Sequence, residues 1–98
     1  MIEVRRTVDF SKWMGGLRDG QAKRTIAARI DRLARGNPGD TNPVGHGVSE
    51  LRIHCGPGYR VYFVQRGDVL IVLLCGGDKG SQKSDIANAH AIARELED

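Results

Sequence analysis

The residues whose types could do chemistry concentrate between Arg52 and Lys83: Arg52, His54, Arg60, Tyr62, Lys79 and Lys83. A guanidinium suits phosphate because its planar fork of donors matches the oxygens. A histidine, with an ordinary pKa of about 6.5, exchanges protons near neutrality. Cleaving RNA through a 2′,3′-cyclic phosphate needs a base for the 2′-OH, an acid for the leaving 5′-oxygen and positive charge against the phosphorane. His54 is the candidate base, its neutral form favoured by neighbouring guanidiniums. Arg52 and Arg60 are candidates to hold the phosphate, and Lys79 is a second clamp or the acid. Tyr62 could stack on a base or donate a proton, and Lys83 adds positive charge for RNA.

The elements that must position these groups read as antiparallel strands. Leu51, Ile53 and Cys55 alternate with Arg52 and His54, and Tyr59, Val61 and Phe63 alternate with Arg60 and Tyr62. That period of two marks half-buried strands. Read as a three-residue hairpin loop, Gly56-Pro57-Gly58 sets Cys55 opposite Tyr59, His54 opposite Arg60 and Arg52 opposite Tyr62. Ile53 and Leu51 then face Val61 and Phe63. Opposed Cβ atoms lie about 4.5–5.5 Å apart, so the polar side chains would form one cluster. The competing reading leaves His54 and Tyr62 as ornaments on a solvated strand face.

Val69 to Cys75 is apolar on both faces and reads as a core strand covered by helices. Gly76-Gly77-Asp78-Lys79-Gly80 reads as a tight turn leaving it. Ser81 or Ser84 is expected to cap a last helix with Ile86, Ala89, Ala93 and Leu96 buried. Glu95, Glu97 and Asp98 oppose the dipole at its end, which is expected to fray.

Earlier in the chain, residues 2–7 read as a short edge strand with Ile2 and Val4 in phase. Asp9 is the expected N-cap of a short helix that buries Phe10, Trp13, Met14 and Leu17 and is weakened by Gly15 and Gly16. A second helix, Gln21 to Arg35, presents Ala22, Ile26, Ile30 and Leu33 to the core. Its Lys23, Arg24, Arg29, Arg32 and Arg35 form either an RNA-facing rail or a solvated face. Residues 36–47, with four glycines and two prolines, read as loop.

The 98 residues make one domain, spanning 1–98, with 40% hydrophobic and 28% charged side chains, the profile of a soluble globular protein. No apolar run nears the roughly 20 residues of a membrane helix, and Met1 to Arg6 lacks a signal peptide's apolar block. A cytoplasmic location is expected. In that reducing compartment Cys55 and Cys75 read as small core residues rather than a disulfide. His46, His54 and His90 are scattered, so no metal and no cofactor is expected. Residues 1–66 carry twelve Lys and Arg against six acids, and residues 67–98 carry three against six. Such a basic body fits a polyanion-binding surface or mere solubility.

Element order gives an α+β fold: strand, two helices, three-stranded antiparallel meander, helix. Helices should cover one sheet face and leave a basic face partly open. Glu50-Leu51-Arg52-Ile53-His54, Gly56-Pro57-Gly58-Tyr59-Arg60-Val61-Tyr62-Phe63 and Leu73-Leu74-Cys75-Gly76-Gly77-Asp78-Lys79, with Gln82, Asp85 and Ile86, resemble the small HigB-like toxins of the RelE/ParE superfamily, often labelled addiction module killer proteins. The resemblance covers nearly the whole chain. It implies a toxin of a bacterial type II toxin–antitoxin module, neutralised by a cognate antitoxin and cutting mRNA on the ribosome as a metal-independent endoribonuclease. It places Arg52 and His54 at the two basic positions of the second strand, Arg60 at the phosphate-binding arginine and Lys79 near a basic residue after the last strand. The C-terminal tyrosine of RelE has no counterpart near Ala87. The alternative within the superfamily is a ParE-like toxin that binds DNA gyrase without catalysis; a third is a binding module of the toxin–antitoxin repressor complex. An acidic amphipathic segment of the antitoxin would suit the basic groove.

Overall fold

A computed structural model describes residues 1–96. Strand β1 (Glu3–Arg6) is followed by helices α1 (Val8–Gly16) and α2 (Gly20–Ala34). Strands β2 (Thr41–Gly45), β3 (Val48–Ile53), β4 (Tyr59–Arg66) and β5 (Leu70–Gly77) come next, and a 3-10 turn (Lys79–Ser81) runs into helix α3 (Gln82–Leu96). The strands form one sheet ordered β1-β5-β4-β3-β2, with β1 parallel to β5 and the other neighbours antiparallel. The α+β class holds, but the meander has four strands rather than three. Residues 41–45, expected to be loop, pair with β3 as an edge strand. Proline is tolerated there because an edge strand can leave a missing donor unpaired.

The helices occupy both faces, not one. Phe10 of α1 and Ile26, Ile30 and Leu33 of α2 pack on Leu51, Ile53, Val61, Phe63, Ile71 and Leu73. Ala89 and Ala93 of α3 pack on Val48, Tyr62, Val64, Leu74 and Cys75 of the opposite face. A bulge lets Tyr62 pair with Cys75 while Phe63 pairs with Leu73, so the adjacent Leu74 and Cys75 both join the core under α3.

Local signals explain most boundaries. Thr7, not Asp9, caps α1: its hydroxyl oxygen accepts from the Phe10 amide at 3.0 Å while its proton goes to the Leu74 carbonyl at 2.6 Å. Asp19 caps α2, accepting from the Gln21 and Ala22 amides. Gly76 and Gly77 belong to β5 rather than to a turn, because close packing needs them. A Cβ on Gly76 would fall 2.3 Å from the Trp13 ring, and one on Gly77 would fall 1.8 Å from an Asp85 carboxylate oxygen. Asp78, rather than Ser81 or Ser84, supplies the cap that follows, accepting from the Gly80 and Ser81 amides. At the far end Leu96 is exposed rather than buried. The expectation about Glu97 and Asp98 lies outside the described residues.

Candidate functional site

The hairpin register decides which side chains meet. Arg52 pairs with Arg60, Glu50 with Tyr62, Leu51 with Val61 and Ile53 with Tyr59. The expected register is therefore off by two residues, because residues 54–58, not 56–58, lie between the strands. Gly56 and Gly58 both take positive φ, 53° and 80°, which lets this longer loop close. A shift of two keeps each residue on its face but replaces His54 by Arg52 as the partner of Arg60.

At the centre of the cluster lies Glu50, which is fully buried. Its Oε1 accepts from Arg52 Nε at 2.9 Å and Arg60 Nη1 at 3.1 Å, and its Oε2 accepts from Gln82 Nε2 at 2.8 Å and Tyr62 OH at 3.3 Å. Four donors thus fill the capacity of one carboxylate. Burial acts most strongly on Glu50 and pushes its pKa up. The hydrogen bonds from Arg52 and Gln82 and the charges of Arg60 and Arg52 outweigh it together and hold the carboxyl below its usual 4.5. Glu50 is therefore held as an anion that ties two arginines to the start of α3.

The arginines differ in access. The Arg52 side chain is 38% exposed and keeps both terminal nitrogens clear of Glu50, whereas that of Arg60 is 13% exposed. Tyr62 is fully buried beneath α3, which removes it from the open sheet face where sequence placed it. Its phenol is driven well above the ordinary range, first by burial and then by the Glu50 charge, so it donates as a neutral hydroxyl.

His54 stands just beyond β3, 74% exposed, with Nε2 2.6 Å from Asp40 Oδ2. Its charged partner is thus a carboxylate rather than the guanidiniums expected. Arg29 stabilises this corner from α2, donating to the Arg52 carbonyl at 2.7 Å and the Pro38 carbonyl at 3.1 Å. The Arg52 amide donates to the Asp40 carbonyl at 3.0 Å. Three residues of the supposed basic rail are accordingly engaged: Arg29 here, Arg35 with Asp31, and Lys23 with the Gly15 carbonyl. Lys79 is exposed on the turn after β5, its amide donating to the Pro57 carbonyl at 3.4 Å, so this turn lies against the hairpin loop. Lys83 is exposed on the first turn of α3.

Arg52, His54, Arg60 and Lys79 therefore gather at one end of the sheet, with Lys83 on the adjoining helix. Glu50, Gln82, Asp40 and Arg29 were missed as members of the site. The phase of Glu50 with Arg52 and His54 was the available signal for the first. Nothing local in the sequence links Asp40 to His54, which come together through the β2–β3 pairing. Among the described residues no three His, Cys, Asp or Glu side chains are grouped to hold a metal ion.

This chain belongs to the phage-derived Gp49-like family (DUF891), whose sequence profile matches residues 12–97 and which is associated with toxin–antitoxin modules. An uncharacterized protein of Haemophilus influenzae is 47% identical over 95 residues, which span 97% of this chain and 96% of that protein. The family context implies a cognate antitoxin as partner. Among the described residues no helix is long and apolar enough to cross a membrane.

Proposed function

We propose that this chain is the toxin of a type II toxin–antitoxin module and a metal-independent endoribonuclease acting on mRNA at the ribosome, close in action to the HigB-like toxins it resembles. The observation that carries the reading is the clamping of Arg52 and Arg60 on buried Glu50 at the sheet end that also bears His54 and Lys79. Arg52 offers its unengaged nitrogens to a phosphate. The free Nδ1 of His54 takes the 2′-OH proton as that oxygen attacks phosphorus, and the 5′-oxygen leaves with a proton from Lys79, giving a 2′,3′-cyclic phosphate. Guanidiniums held in place before substrate arrives need little reorganisation as charge develops on the phosphorane.

Primer extension on transcripts after a pulse of expression tests this. Discrete cleavage sites are expected for the wild type and their loss in His54→Ala, whose exposed side chain can be removed without disturbing the core. A second reading, a ParE-like toxin that binds gyrase, is favoured by the burial of Arg60 and its commitment to Glu50. It predicts intact transcripts with supercoiling inhibition indifferent to His54→Ala.

A further inference from the structure

The outer edge of β1 lies away from the site, on a strand that among the described residues pairs only with the first half of β5. Amides of Glu3 and Thr7 donate inward to the carbonyls of Val69, just before β5, and Leu73 of β5 at 3.0 and 3.1 Å. Because backbone groups alternate along a strand, those of Ile2, Val4 and Arg6 point outward. The Ile2 amide donates to the Ala34 carbonyl at the end of α2 at 2.9 Å. Among the described residues no backbone partner meets the outward groups of Val4 and Arg6.

An open groove flanks this edge on each face of the sheet. The one toward α2, about 350 Å³, is lined by Ile2, Val4, Ala27, Ile30 and Ala34. The one toward the end of α3, about 300 Å³, is lined by Val64, Leu70, Val72 and Leu96. Leu96 is exposed. Arginines stand over both: Arg6 borders each groove, and Arg5 and Arg66 border the second. The acids nearby are engaged or outnumbered, Glu3 bonding Arg5 and Asp31 bonding Arg35, with Asp68 on the β4–β5 turn. No carboxylate among the described residues forms an ion pair with Arg6 or Arg66.

From this combination we infer that β1 is a docking edge for an extended segment of a partner polypeptide in which apolar residues alternate with acidic ones. Such a segment adds a sixth strand, its backbone bonding Val4 and Arg6, its side chains falling alternately into the two grooves and its carboxylates meeting Arg6 and Arg66. Arg6 and Arg66, without an ion-pair carboxylate among the described residues, select an acidic segment over a basic one and disfavour a second copy of this basic edge. Identifying the segment as part of the antitoxin rests on the toxin–antitoxin reading; the docking edge itself does not. The occupant lies four strands from Arg52, roughly 19 Å across the sheet, so it need not cover the candidate site.

Amide hydrogen exchange on the full chain tests the inference, using a short synthetic peptide in which valine alternates with glutamate and its counterpart with lysine for glutamate. The glutamate peptide is expected to protect the Val4 and Arg6 amides and to bind about tenfold more weakly to Arg66→Glu, a change of about 1.4 kcal/mol. The same peptide with its alternate amides N-methylated should not bind. Absence of protection at Val4 and Arg6, or equal binding of the lysine peptide, overturns the proposal. So does protection that appears without peptide as protein concentration rises, since the occupant is then a second copy. RNA cleavage is not read in this experiment, so its outcome is separate from that of the proposed reaction.

Discussion

Arg52 and Arg60 stand directly opposite each other in the β3–β4 ladder and bond the same oxygen of one buried carboxylate, Oε1 of Glu50. Two guanidiniums at that separation repel, and the anion between them makes the arrangement stable. Replacing Glu50 by Gln removes the charge and sets an amide NH2 against two of the four donors, while its carbonyl oxygen can serve the other two. Removing one partner of a buried ion pair costs about 3–5 kcal/mol. The partial exposure of Arg52 puts the expected loss near the lower figure, about 3 kcal/mol. Urea denaturation of Glu50→Gln beside the wild type measures it, and a loss below about 1 kcal/mol would show the network to be incidental.

The same carboxylate sets an acid limit. Its pKa in the folded chain lies below the usual 4.5, so the unfolded chain binds the proton more readily. The stabilisation is complete above pH 4.5 and is lost as pH falls through the lower, folded value. Wild-type stability should therefore drop with acidification below pH 4.5 more steeply than that of Glu50→Gln. Equal slopes in chemical denaturation series would contradict this.

His54 and Asp40 form a pair that can be tested without disturbing the core, both side chains being substantially exposed. Asp40 accepts from Nε2–H and leaves Nδ1 as the free nitrogen. On the proposed reaction, His54→Ala should slow single-turnover cleavage about 100-fold or more, the usual contribution of a general base. Asp40→Asn should slow it about tenfold through loss of ring orientation. An exposed pair is worth less than about 1 kcal/mol, so both variants should melt near the wild type. Cleavage unchanged in His54→Ala would remove the histidine from the chemistry.

The two thiols should separate cleanly. Cys75 is buried beneath α3, and burial followed by the charges of Asp85 and Asp9 pushes its pKa up to about 12. Cys55, on the hairpin loop, is only partly buried. A thiol reagent at neutral pH should modify Cys55 in the native chain and reach Cys75 only after denaturant is added, because the thiolate is the reactive form. Modification of both at similar rates would place Cys75 outside the core.

Several of these relationships were legible in the residues and several were not. Phase alone put Arg52 and His54 on one face and Arg60 on the matching face, because a period of two survives any even error in register. The pairing itself depended on loop length, and the left-handed conformations of Gly56 and Gly58 that allow the longer loop leave no other mark. Tyr62 had the right phase but the wrong exposure, since only the docking of α3 decides that its ring is covered. Glu50 looked like an ordinary charge at the start of a strand. Its role arises from Gln82, 32 residues away, closing over it. The Asp40–His54 pair depends on β2, which glycines and Pro43 disguised as loop.

The glycine pair of β5 gives the clearest contrast between a backbone requirement and a packing requirement. Gly76 and Gly77 have ordinary φ, so no left-handed turn demands them. What excludes a side chain is contact, with a new Cβ 2.3 Å from the Trp13 ring in one case and 1.8 Å from Asp85 in the other. The Trp13 ring is fixed between Phe10 and Tyr59, at centroid distances of 5.8 and 6.2 Å, and cannot retreat without opening the α1 interface. Gly76→Ala should therefore cost about 1–3 kcal/mol by overpacking. Gly77→Ala should also displace Asp85 from its hydrogen bond with the Ser81 hydroxyl, loosening the start of α3 where Gln82 holds Glu50. Gly15, inside α1, has nothing within 4 Å of an added Cβ, and Gly15→Ala should stabilise the chain by about 0.5–1 kcal/mol. Thermal unfolding of the three variants side by side measures the difference. Equal destabilisation by Gly15→Ala and Gly76→Ala would refute the contact argument, because only one of the two positions has a neighbour in the way.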